Sequence, residues 1–320
     1  MSKFIKKVLI DAGVSIPIRV CGNGCDHILR EERKEYEDKL GKSFRFLHVS
    51  SCFPRKGVDV LLRAYFEEFT SQDDVTLVIK TFPNIHNDIE NQIKELKKTH
   101  RNAPDIKLIN KDLSTGYIVD IYKKCHALVA PSRGEGFGLP MAEAMLFGLP
   151  VITTGFGGQS DFCTEETAWT VGFRFEKARS HLSCFNSVWA EPDAVDLARI
   201  MREVYEMPKE AAQTKLKKAK SIIEREFTWE KTASRVEAVV ANITNRKPFE
   251  QSGIKLGWVS SWNSKCGIAV YSKHLLDHLS GACDLKILAS RNDGLVRADE
   301  NNVERCWDDL SVKDLSGLET

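Results

Sequence analysis

Two glutamates eight residues apart frame a glycine-rich turn in Pro131-Ser-Arg-Gly-Glu-Gly-Phe-Gly-Leu-Pro-Met-Ala-Glu143. Carboxylates accept hydrogen bonds from hydroxyls and stabilise developing positive charge, so Glu135 and Glu143 together suit one polyhydroxylated ligand reached from two sides. Gly136 and Gly138 let the backbone come close to that ligand. The N–H groups heading the next helix, at its positive dipole end, favour a phosphate. A second charged element, Arg55-Lys56 ahead of Gly57, offers cations to the same phosphate. The plainer alternative is an ordinary strand–turn–helix with solvated glutamates and a solvated Arg55.

The flanking sequence supplies elements to hold these groups. His126-Ala-Leu-Val-Ala130 is a short apolar run suited to a buried parallel strand. Pro140 fits the first position of a helix, where its missing N–H costs nothing and Glu143 falls in the first turn. Phe44–Ser50 reads as a strand and Gly57–Phe69 as a helix with one apolar face. Phe147-Gly-Leu-Pro-Val-Ile-Thr-Thr154 ends the motif helix at a glycine and enters another strand, followed by a glycine-rich turn at 155–161. Strands near 44–50, 75–80, 106–109, 126–130 and 149–153 alternate with helical patterns over 44–245, which predicts an α/β, Rossmann-like doubly wound parallel sheet. After a polar segment the chain starts again: strand 254–260, a loop carrying Gly267, a helix over Ile268–Leu279 and a strand at Leu285–Ala289. Thr228 is placed to cap a helix entered at Trp229.

The spacing and setting of Glu135 and Glu143 resemble the Glu-x7-Glu motif of retaining GT-B glycosyltransferases, in particular the large family 4 of glycosyl transferases group 1. The resemblance implies one lobe of a GT-B fold in which Glu135 contacts the donor sugar, Glu143 holds the nucleotide ribose, and Gly136, Phe137, Gly138 and Leu139 form the phosphate turn. Lys56-Gly57 matches the family's Lys-Gly, whose lysine holds the donor diphosphate. Ser50-Ser51 stands where Gly-Arg is commonest, so one cation is missing unless Arg55 supplies it. Asn23-Gly-Cys-Asp26 resembles the interlobe segment. Cys266-Gly-Ile-Ala-Val-Tyr271 resembles the first loop of N-terminal lobes, with Gly267 as its second-unit loop residue and an unliganded turn as its alternative. Ile109–Leu113 is a candidate base-contacting loop or a simple connection.

On this reading residues 1–30, a helical tail and a strand around Ile18–Cys21, are the end of a preceding N-terminal lobe and its crossover, 31–245 the nucleotide-sugar-binding C-terminal lobe, 246–254 a linker, and 255–320 the truncated beginning of a second N-terminal lobe. Two units in tandem, cut at both ends, produce this order. A circular permutant would need a complete second lobe, for which roughly 65 residues are too few. The expectation is a piece of a larger multidomain protein.

Composition narrows the class. With 46 basic and 45 acidic residues the net charge is +1, so no general electrostatic attraction to nucleic acid exists. The lysines over 209–220 are read as a solvated face, with peripheral membrane contact as the alternative. No apolar run reaches membrane-spanning length and the N-terminus is too short in apolar residues for a signal peptide, so the expected location is cytoplasmic. Nine scattered cysteines fit reduced thiols. Cys21, Cys25 and His27 lack a second closely spaced pair, so no metal site is expected, and His48 and His126 are read as structural.

The implied reaction moves a hexose from a nucleotide-diphosphate sugar to a hydroxyl of a sugar, glycan or lipid-linked acceptor, with retention and no cofactor. Two other readings stay open: a GT-B sugar-nucleotide epimerase or glycogen-synthase-like relative, and a non-catalytic nucleotide-sugar-binding lobe of an assembly. Donor base, acceptor and oligomeric state are not specified by these residues.

Overall fold

The computed structural model describes residues 2–179, 187–244, 255–279, 284–291 and 294–307; the linker expected at 246–254 lies outside them. Contacts divide the chain into two units, Met1–Val20 with Ile28–Glu226, and Cys21–His27 with Phe227–Thr320.

The first unit contains α1 (Lys3–Asp11), β1 (Phe44–Val49), α2 (Val58–Glu68), β2 (Val75–Thr81), α3 (Ile89–Thr99), β3 (Asp105–Asn110), α4 (Thr115–Lys124), β4 (Ala127–Ala130), α5 (Leu139–Leu146), β5 (Val151–Thr154), β6 (Trp169–Val171), β7 (Phe173–Lys177), β8 (Val188–Pro192), α6 (Ala194–Glu206) and α7 (Lys209–Glu226). Strands β1–β6 form one sheet in the order β3-β2-β1-β4-β5-β6, and every pairing is parallel. This is the doubly wound sheet expected from the alternating pattern. The chain reverses its direction of growth between β1 and β4, and such switch points open a crevice at the carboxyl ends of the strands.

Side chains alternate along each strand, so both faces must be covered. Phe46, Leu77, Ile79 and Val129 pack with Leu61 and Tyr65 of α2 and Leu197 and Met201 of α6 in one buried cluster. Each such side chain removed from water contributes about 1.5–3 kcal/mol. The opposite-facing Leu47, Val78 and Leu128 are equally buried, and α5 packs on α7.

Three local differences separate the structure from the sequence reading. Strands β7 and β8 form a separate antiparallel pair that the periodicity did not predict; β7 has no buried face, and Phe175 is 60% exposed, so no alternation marks it. Helix α5 opens at Leu139 because Gly138, with φ of 96°, takes the cap position. Pro140 is therefore the second helical residue, and Glu143 falls in the second turn rather than the first. No strand forms at Ile18–Cys21.

The second unit contains α8 (Trp229–Thr244), β9 (Lys255–Val259), α9 (Gly267–Leu279), β10 (Asp284–Ser290) and β11 (Val303–Trp307). Its sheet is parallel in the order β11-β10-β9, so the expected strand–helix–strand is present with one further strand. Trp229, Trp262, Leu275, Leu276, Leu279 and Ile287 form its core. Helix α8, read from sequence as the last of the first lobe, packs in this unit, because Trp229 stacks on His274 with centroids 5.1 Å apart. Asp26 Oδ1 accepts from Trp229 N at 2.8 Å, and Thr228 Oγ1 accepts from Lys231 N at 3.2 Å, the cap that was expected.

Candidate functional site

The crevice at the end of β1 and β4 is built by two loops clasped together. After β1 the chain makes a short 3-10 turn, Pro54–Lys56, and Gly57 leaves it in a left-handed conformation at φ 66°. A Cβ on Gly57 would run into the carbonyl of Pro131, so glycine is required twice over, by conformation and by space. Arg133 N donates to Arg55 O at 2.8 Å and Arg55 Nη1 to Gly134 O at 3.2 Å, locking the turn to the loop after β4.

Glu135 sits in this clasp with 9% of its surface exposed. Lys56 Nζ lies 2.5 Å from Oε1, Ser132 Oγ donates to the same oxygen at 2.8 Å, and Arg55 Nη1 is 3.6 Å from Oε2. Burial acts to raise the Glu135 carboxyl, but Lys56 and then Arg55 and Ser132 outweigh it and hold the group below the usual carboxylate range. The carboxylate is kept ionised in a nearly dry setting. Both cations proposed from sequence thus converge on the first glutamate, Lys56 with its side chain 12% exposed and Arg55 with its side chain 42% exposed. Ser51 brings no cation; its carbonyl accepts from Asn84 Nδ2 at 3.0 Å.

Glu143 is placed differently. It stands on α5, where Tyr122 Oη donates to its Oε2 at 2.9 Å and to Pro140 O at 3.3 Å. Some of the residue remains open to solvent while protein crowds its carboxyl, and this desolvation, only partly offset by the Tyr122 bond, pushes its pKa up to about 7. Among the described residues no cation pairs with it. The two glutamates therefore differ in kind: one is a satisfied carboxylate, the other is poised for hydroxyl donors that would stabilise its charge.

Between them, Phe137 turns its ring inward against Phe162, centroids 5.1 Å apart, leaving its backbone to the turn. Gly138 caps α5, and Leu139, which opens the helix, has no intrahelical acceptor for its N–H. Gly136 meets nothing where a Cβ would stand, whereas Gly158 packs directly on the Gly136 carbonyl and Gly158 N donates to Glu135 O at 2.8 Å. Crowding thus demands a glycine at 158 rather than at 136. In the second unit Gly267 is the first residue of α9 with open space around it.

The residues read as structural are held as such. His48 bonds Val129 O and Ser50 Oγ, each at 2.8 Å, and burial drives its pKa down to about 4. His126 Nδ1 accepts from Arg45 N at 3.1 Å. Cys25 Sγ donates to Phe227 O, and His27 Nδ1 accepts from Trp229 Nε1 at 3.0 Å. On α7, Lys215 reaches Ala168 O and Lys218 pairs with Glu166 at 2.6 Å. Among the described residues no helix is long and apolar enough to cross a membrane.

Sequence reasoning missed Tyr122, Ser132 and Arg133. Ser132 and Arg133 lie inside the motif itself, but their partners do not. Arg133 bonds Asp59 at 2.7 Å through both terminal nitrogens and Glu191 at 2.6 and 2.7 Å. Burial would lower the Arg133 pKa; its hydrogen bonds to Asp59 and Glu191 more than reverse this and raise it. No signal in sequence spacing could link residues 59, 133 and 191.

The family model for glycosyl transferases group 1 matches residues 30–220. An uncharacterized glycosyltransferase of Methanocaldococcus jannaschii is 29% identical over 160 residues, 49% of this chain and 40% of that protein. A lipopolysaccharide core biosynthesis mannosyltransferase of Rhizobium leguminosarum is 27% identical over 167 residues, 49% of this chain and 46% of that protein. The chain thus spans less than half the length of these curated relatives. The crystal structure of a glycosyltransferase from Rickettsia africae shares the fold at a TM-score of 0.60 and 19% identity, over 76% of this chain and 62% of that one. With the clasped glutamate motif on a doubly wound sheet and a family match over more than half its length, the chain belongs to the glycosyl transferases group 1.

Proposed function

We propose that the first unit is the donor lobe of a retaining hexosyltransferase. A nucleotide-diphosphate sugar is the substrate, and mannose is the favoured hexose because the Rhizobium leguminosarum relative is named a mannosyltransferase. Glu135 positions the sugar, Glu143 accepts from the ribose hydroxyls, and Lys56 with Arg55 and the N–H groups of 136–139 receive the diphosphate. The bond from the anomeric carbon to the diphosphate oxygen breaks, the bond to the acceptor oxygen forms on the same face, and the acceptor proton passes to the departing diphosphate. Charge building on that diphosphate is stabilised by cations and helix N–H groups fixed before the reaction, which is electrostatic preorganisation. The reading carries no cofactor, a cytoplasmic location and a sugar, glycan or lipid-linked acceptor, in a larger protein whose second N-terminal lobe begins near residue 255.

The observation that carries this is Glu135, ionised and clasped by Lys56, Arg55 and Ser132 at the switch point. A phosphate entering there draws the same two cations. The test is calorimetric titration of the chain with UDP, GDP and ADP, beside Glu143→Ala and Lys56→Ala. Binding of one nucleotide, weakened by about 1–3 kcal/mol in each variant, supports the donor lobe. Absence of binding by all three, in this chain and in any longer form containing it, refutes it. Ser51 favours a second reading, a lobe that binds nucleotide sugar without transferring it; nucleotide binding with no product on any acceptor would select that one.

A further inference from the structure

We propose that the first unit carries a second ligand site, beside the donor crevice, that takes a neutral saccharide. A cleft of about 470 Å³ lies between α2, α3 and the β7–β8 pair, within the ~300–1,000 Å³ usual for small-molecule sites. Neither Glu135, Lys56, Glu143 nor the 136–139 turn lines it. Helices α2 and α3 pack on one another, and α2 packs on α6, whereas Glu143 stands on α5, which packs on α7. Pro54 and Arg133, which belong to the clasped loops, form one wall of the cleft, so it adjoins the donor crevice on the α2 side.

The lining identifies the ligand class. Four arginines and lysines face four carboxylates, so the cleft has no excess charge to attract an anion or a cation. Its wall is Trp189, with the Arg133 guanidinium 4.7 Å from the ring centroid. Arg133 is saturated by Asp59, Glu191 and the Pro54 carbonyl, which fixes those carboxylates while leaving each with lone pairs for hydroxyl donors. Lys177 and Gln92 add donors across the opening. An aromatic ring, side-chain donors and fixed acceptors around a neutral cavity match a sugar: its apolar face lies on a ring, and its hydroxyls both donate and accept. A phosphate would meet the carboxylates, and an apolar ligand would leave the polar groups unpaired.

The experiment titrates the 320-residue protein with mannotriose, maltotriose and cellotriose, and with mannose 6-phosphate as the anionic comparison, by calorimetry and ligand-observed NMR. At least one trisaccharide is expected to saturate below about 10 mM and to bind about tenfold more weakly to Trp189→Ala, which removes the ring, and to Gln92→Ala. Glu143→Ala should leave it unchanged. Saturation by none of the three, equal binding to both cleft variants and the parent, or tighter binding of mannose 6-phosphate would each overturn the proposal. Nucleotide binding is read in separate titrations, so failure of the donor lobe and failure of this cleft are distinguishable.

Discussion

Replacing Glu143 by Gln should make the protein more stable and a poorer binder, and the gain should grow with pH. In the folded chain the Glu143 carboxyl titrates near 7, against an ordinary value of 4.5, because burial disfavours its charge and only Tyr122 opposes that. Below pH 4.5 folded and unfolded chains both hold the proton and nothing is lost. As pH rises toward about 7 the unfolded chain releases its proton first, so stability falls, levelling off once the folded carboxyl also ionises. The full cost is about 3 kcal/mol, of which about 1 is present at pH 5.5 and about 2 more accrues by pH 8.5. Gln cannot ionise but keeps an oxygen for the Tyr122 hydroxyl. Urea unfolding of parent and Glu143→Gln at pH 5.5, 7 and 8.5 should therefore give a stability difference that widens by about 2 kcal/mol across the series, while nucleotide affinity falls. A difference that is flat with pH, or a variant less stable throughout, would show that the carboxyl ionises without penalty and would remove the physical basis for treating it as poised for a ligand. Such a group, costly alone and relieved by bound hydroxyls, is a local case of stability given up for function.

Three further outcomes follow from the geometry. Lys56→Met leaves Glu135 buried without its 2.5 Å partner and should cost about 3 kcal/mol at pH 8, shrinking as acid protonates the orphaned carboxyl; parallel urea titrations at pH 5 and 8 read this directly. Gly57→Ala forces a left-handed residue and drives a methyl into the Pro131 carbonyl, so a loss of about 2 kcal/mol or more is expected, and an unchanged melting temperature would contradict the clasp. His48, titrating near 4 instead of 6.5, keeps its full contribution above pH 6.5 and surrenders up to about 3 kcal/mol as pH falls to 4; His48→Asn, whose amide can still donate to Val129 O, should flatten that acid slope.

The parallel sheet was legible because β1, β2, β4 and β5 are short apolar runs separated by helical periodicity, and burial on both faces leaves no other composition for such strands. The β7–β8 pair was not, since β7 has no buried face and β8 buries only Ala190 and Pro192, too short a pattern to mark a strand. Likewise α8 reads as a helix from its Thr228 cap, but its allegiance to the second unit depends on Trp229 meeting His274 and Tyr271, far along the chain.

The same division runs through the site. Sequence alone determined the family, the glutamate pair, the glycine turn and the cation doublet, because these are local patterns in which residue type and spacing carry the chemistry. Only the tertiary structure decided that Lys56 and Arg55 both turn to Glu135, that Glu143 faces Tyr122 and no cation, and that Arg133 draws residues 59 and 191 around Trp189. Charge state and hydrogen-bond partnership depend on distance and desolvation in three dimensions. Groups as far apart along the chain as Tyr122 and Glu143, 21 positions, or Lys56 and Glu135, 79 positions, acquire both only when the sheet brings its loops to one edge.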